Sequence, residues 1–88
     1  VTAREVTVVN ALGLHARAAA RFVKVASRFR SQIRVTRGQR TMDGKSILGL
    51  LLLAAARGSQ LTIAADGPDE AGAIAALCSL VERGFEEA

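Results

Sequence analysis

Aromatic side chains are almost missing from this chain of 88 residues: it has no tryptophan, no tyrosine, and only Phe22, Phe29 and Phe85. A nucleic-acid binder that works by stacking bases therefore has no platform here, and no nucleic-acid motif appears. With half of the residues hydrophobic, the core has to be aliphatic. A single cysteine, Cys78, excludes an internal disulfide, and one cysteine with one histidine cannot furnish the usual structural zinc site. No metal and no cofactor is expected. Long apolar runs are missing too: Ile47 to Ala56 reaches about half of the roughly 20 residues that a membrane span needs. No signal peptide precedes the first strand, so the expectation is a soluble, cytoplasmic, monomeric protein without membrane or nucleic-acid partners. Twelve basic against eight acidic side chains leave a formal charge of +4, which favours acidic partners through steering.

What is present reads as one domain over residues 1–88, small enough that its core is modest. Glu5 to Val9 is β-branched and alternating, with Val6 and Val8 on one face, and predicts a first strand. A helix from Ala16 buries Ala19, Phe22, Val23 and Ala26, with Phe29 closing its end, and leaves Arg17, Arg21, Lys24 and Arg28 as a basic stripe on the opposite side. Gln32 to Thr36 alternates again, and Arg37, Gly38, Gln39 and Arg40 predict a tight turn into a third strand at Thr41 and Met42. Ser46 is placed to cap a short helix from Ile47, in a segment that Gly58 ends. Leu61, Ile63 and Ala65 mark a fourth strand. A last helix has Pro68 at its first position, Asp69 and Glu70 complementing its dipole, and Ile74, Leu77, Cys78, Leu80 and Val81 as its buried stripe. Gly84 fits the position just past its end, with Phe85 folding back onto that stripe. The order predicts an α+β open-faced sandwich, βαββαβα, with a four-stranded antiparallel sheet and three helices on one face.

Two stretches carry chemistry. Gly13 suits a sharp turn, and the helix formers that follow put His15, the only histidine, at the mouth of a helix. The first amides of that helix, those of Ala16 and Arg17 among them, lack intrahelical partners and carry partial positive charge, so an anion on the ring meets free donors. The Arg17 guanidinium adds a planar cation. In the second stretch Ile47, Leu48, Leu50, Leu51, Leu52 and Leu53 are apolar all round, and a helix covered on one side only must expose several of them.

Gly13 to Arg17 with the alanine-rich helix after it resembles the active-site signature of HPr, the histidine-containing phosphocarrier family of the bacterial phosphotransferase system. Gly44 to Gly49 resembles the regulatory serine region of that family, and the resemblance covers essentially the whole chain. It implies that His15 takes a phosphoryl group on Nδ1 from phosphorylated enzyme I and passes it to a histidine of an EIIA-type acceptor, with Arg17 stabilising the phosphate. It also implies partner contacts at Ala20, Arg21, Lys24, Ile47, Leu48 and Leu51, and modification of Ser46 by a serine kinase/phosphorylase. Ala18 stands where the family commonly has proline, and the loop Asn10 to Gly13 looks more like the nitrogen-related branch than the sugar-uptake one. The rival reading is a regulatory adaptor that acts by binding and Ser46 phosphorylation without phosphotransfer.

Overall fold

In the computed structural model, which describes residues 1–87, the elements are β1 (Thr2–Thr7), α1 (Ala16–Ala26), β2 (Gln32–Arg37), β3 (Arg40–Asp43), α2 (Ile47–Leu52), β4 (Gln60–Asp66) and α3 (Glu70–Glu82), followed by a single 3-10 turn, Gly84–Glu86. The strands form one antiparallel sheet in the order β1-β4-β2-β3. Pleat alternation decides which face is covered. Val6, Ile33, Val35, Leu61, Ile63 and Ala65 are buried in one core with Phe22, Leu50, Leu53, Leu77 and Phe85. The row Glu5, Thr62, Thr36, Thr41 runs across the uncovered face. Helix α3 packs on β1 and β4, while α1 lies against α2 and α3. Cys78 is fully buried and its thiol pKa is pushed up by burial, as an inert core residue.

Four local expectations are corrected. The first strand runs from Thr2 to Thr7, not from Glu5 to Val9. Val8 leaves the β1–β4 register and bonds to the loop before β4 instead, its amide to the Ser59 carbonyl (2.9 Å) and its carbonyl to the Gly58 amide (2.7 Å). Val23 is half-buried rather than core. Helix α2 stops well before Gly58, because Ala54 turns to φ 51° just past the Leu53 cap. Arg40 and Arg37 donate to the Leu52 and Leu53 carbonyls (2.9 and 3.3 Å), satisfying groups that a helix end leaves open. Pro68 lies outside α3, whose N-cap is Asp69.

Asp69 makes no side-chain cap bond to its own helix. Its carboxylate instead accepts from the Ser31 hydroxyl (2.5 Å) and from the Arg30 and Ser31 amides (2.8 and 2.9 Å), tying the α1–β2 turn to the start of α3. The Ser31 hydroxyl bond above all, and then the Arg30 amide, lower its pKa from 3.8 to about 2. A carboxyl whose folded pKa is depressed contributes stability that is fully present above its unfolded value and is lost as pH falls through the folded one. Thermal unfolding followed between pH 5 and pH 2 should therefore show the wild type losing stability faster than Asp69→Asn, and the gap between the two should close as pH approaches about 2.

Candidate functional site

The loop that presents His15 is fixed from below. Gly13 has φ +67°, and a Cβ there would stand 2.5 Å from the Ala55 carbonyl oxygen, so both conformation and space require glycine. The next amide, that of Leu14, donates to the same Ala55 oxygen at 2.8 Å. The stretch just after α2 is thus the floor on which the histidine loop rests. His15 is the N-cap of α1, extended at φ −81°, ψ 179°, and its carbonyl opens the helix by accepting from the Ala19 amide at 2.8 Å.

The ring is held at both nitrogens. The Arg17 amide donates to Nδ1 at 3.3 Å, so Nδ1 carries the lone pair. Nε2 lies 2.8 Å from a carboxylate oxygen of Glu87, which makes it the nitrogen that bears the proton. The other carboxylate oxygen of Glu87 accepts from Asn10 Nδ2 at 2.6 Å, and the same Nδ2 donates to the Gly13 carbonyl at 2.7 Å. Asn10, itself buried, therefore ties the histidine loop to the end of the chain. The bond from Asn10, with that from His15 behind it, holds the Glu87 carboxyl below its ordinary pKa, so the carboxylate is charged at neutral pH. Neither Asn10 nor Glu87 figures among the residues expected from sequence. Glu87 stands 72 positions from His15, and no local pattern marks it.

Chemically, this is a nucleophile with its lone pair on Nδ1 and its other nitrogen oriented by a carboxylate. The 3.3 Å contact at Nδ1 is at the long, weak end of hydrogen bonding, so it is displaced at little cost by an electrophile that reaches the lone pair. The Ala16 amide has no backbone acceptor among the described residues, and Ala16 and Arg17 are both exposed. Phosphorylation at Nδ1 of a ring that keeps its Nε2 proton makes the ring cationic, and the Glu87 carboxylate faces that charge.

The remaining expected residues divide between two exposed strips. Arg17, Ala20 and Lys24 are exposed along α1, Arg28 is exposed in the turn beyond the helix rather than on its stripe, and Arg21 is half-buried because its Nη1 donates to the Phe85 carbonyl at 2.7 Å. On α2, Leu50 is fully buried, whereas Ile47, Leu48, Leu51 and Leu52 are exposed, Leu48 by 67%. Ser46 caps α2, its Oγ accepting from the Gly49 amide at 3.0 Å. Helices α1 and α2, which carry the two strips, are in contact.

This geometry has clear relatives. Residues 2–83 match the family described as the phosphorylation site of the PTS HPr component. The chain belongs to the HPr family of phosphocarriers of the phosphotransferase system. It is 46% identical to the phosphocarrier protein HPr of Cupriavidus necator over 84 residues, 96% of this chain and 94% of that one. To the phosphocarrier protein NPr of Shewanella violacea it is 41% identical over 85 residues, 97% and 93% of the two chains. Among solved structures, HPr of Thermoanaerobacter tengcongensis superposes with a TM-score of 0.95 at 40% identity, covering 100% of this chain and 99% of that one. The four-stranded sheet with three helices is therefore the HPr fold. Among the described residues no helix is long and apolar enough to cross a membrane.

The Glu87 clamp has a measurable consequence. Glu87→Ala frees Nε2, so nitrogen NMR of the imidazole should change from one dominant tautomer to a mixture, and phosphoryl acceptance should slow by roughly three- to tenfold, part of the worth of one charge-assisted bond. A structural role alone would lower stability and leave the tautomer signature where it is.

Proposed function

We propose that His15 Nδ1 attacks the phosphoryl group carried by phosphorylated enzyme I, and that the resulting phosphohistidine passes the group to a histidine of an EIIA-type acceptor. One observation carries this reading: the Nδ1 lone pair faces the start of α1 while Nε2 is pinned to Glu87. In the first step the Nδ1–phosphorus bond forms as the donor's nitrogen–phosphorus bond breaks, and in the second the His15 ring is the leaving group. The Ala16 and Arg17 amides and the Arg17 guanidinium receive the phosphoryl oxygens. Helix-terminal amides contribute about 0.3 to 2 kcal/mol toward an anion and a charged hydrogen bond about 1.5 to 3. Stronger binding would trap the group, since each 1.4 kcal/mol shifts the transfer equilibrium about tenfold. An exposed, lightly built site is what a carrier needs.

Docking is assigned to Ala20, Arg21 and Lys24 of α1 together with Ile47, Leu48 and Leu51 of α2, exposed apolar side chains on one helix and cations on the helix it packs against, which suit an acidic partner with an apolar centre. Ser46, at the edge of those leucines, is proposed as the regulatory site for a serine kinase/phosphorylase. A phosphate there would put negative charge beside the apolar contacts, so its effect falls on association. The NPr relative supports the nitrogen-related branch alongside the sugar-uptake one.

Incubation with enzyme I and phosphoenolpyruvate, followed by assay for acid-labile phosphate, tests the carrier step, and an unlabelled chain overturns it. Lys24, which is exposed, tests the docking strip. Lys24→Glu should weaken association with enzyme I severalfold at low salt and flatten its dependence on ionic strength. Equal association rates for the two chains at every ionic strength would make the strip merely a solvated face.

A further inference from the structure

Away from the histidine, α1 and α3 leave a groove of about 430 Å³ between them. Arg21 and Lys24 line it from α1 and Arg28 from the turn after it, with Arg83 and Ser79 on the other side and Glu86 as its one carboxylate. The cations outnumber the acid, and Glu86 already faces Arg83 at 3.8 Å. None of the ion pairs among the described residues involves Lys24 or Arg28. Two of the four cations are held in place by the fold: Arg21 Nη1 donates to the Phe85 carbonyl at 2.7 Å, and Arg83 Nε to the Ser79 carbonyl at 3.3 Å. A guanidinium has five N–H donors, so each keeps several for a ligand while less of its freedom remains to be lost on binding.

The lining narrows the ligand chemistry. Positive charge gathered in one concave place repels itself unless an anion fills it. No aromatic side chain lines the groove, so nothing there stacks on a nucleobase. Arg21 and Lys24 lie three residues apart on one face of α1 and Arg28 follows in the turn just past its Ser27 cap, a row of cations that separate negative groups on one ligand match better than a single phosphate does. The volume is that of a small-ligand site rather than of a protein interface, and guanidinium forks match phosphate oxygens.

We propose that the α1–α3 groove binds a small, linear, multivalent phosphate anion of the polyphosphate class. The site shares Arg21 and Lys24 with the proposed docking strip but uses neither His15 nor the α2 leucines, and it stands whether or not the phosphotransfer reading holds.

Inorganic tripolyphosphate is the probe, titrated into the full chain at low salt by calorimetry and by amide NMR. Shifts should centre on residues 21–28 and 76–83, and Arg28→Gln and Arg83→Gln should each weaken binding about tenfold, the loss of one charged contact. Arg34→Gln, on the uncovered sheet face, should bind as the wild type does. Absence of binding overturns the proposal, as do shifts centred on His15 to Arg17 that Arg28→Gln leaves in place. Equal weakening by Arg34→Gln would reduce the effect to net charge and overturn it too. A glutamate-rich peptide that binds in an Arg28-dependent way where tripolyphosphate does not would reassign the groove to an acidic protein segment.

Discussion

His15→Ala should carry no acid-labile phosphate after incubation with enzyme I and phosphoenolpyruvate, a complete loss rather than a slowing. The chain holds one histidine, so no second imidazole stands in for it. The substitution also deletes the N-cap of α1 and the partner of Glu87, at a cost of about 0.5 to 2 kcal/mol for a cap, which a domain stable by about 5 to 15 kcal/mol survives. His15→Asn separates the two effects: asparagine caps well and forms no phosphohistidine, so it should melt closer to the wild type and still accept nothing. Labelling of either variant at the wild-type level would remove His15 from the relay.

A second large effect comes from two leucines only two positions apart. Leu50 is fully buried under α2, and truncating it leaves a cavity, so Leu50→Ala should cost about 2 to 5 kcal/mol and lower the melting temperature by roughly 10 to 30 °C. Leu48 projects into solvent, so Leu48→Ala should move stability by no more than about 0.5 kcal/mol. Its effect belongs to docking, where losing an apolar anchor weakens enzyme I binding by about 1 kcal/mol or more. Calorimetric titration beside thermal unfolding reads both quantities. A sharp fall in melting temperature for Leu48→Ala, with affinity unchanged, would move that leucine into the core and dissolve the proposed surface.

Most of this was legible from local pattern. Gly13 before a run of helix formers put His15 at a helix mouth, and α1 indeed starts at Ala16 with His15 as its cap. The all-round apolar stretch from Ile47 had to expose leucines, and it does, because Leu50 and Leu53 fill the one face that α2 has to bury. Gly84, at φ +67°, sits just past α3, and Phe85 is buried behind it, as a helix-stop glycine followed by an apolar residue predicts. The misplacements were at edges. Pro68 was read as a first helical residue because its fixed φ suits that place, but the cap is Asp69, bound across the molecule by Ser31, and the helix starts two residues later, at Glu70.

The sequence by itself determined the elements, their buried faces and the place of the one histidine at a helix mouth, because periods of 2 and 3.6 and the chemistry of helix ends are written in neighbouring residues. Only the tertiary structure decided the strand order β1-β4-β2-β3, the Ala55 floor beneath Gly13 and the Glu87 clamp on His15. Those join residues 42 and 72 positions apart, and which distant groups meet depends on how the helices stack on the sheet and on the turn of the backbone at Phe85, φ +58°, that brings the end of the chain back to the histidine.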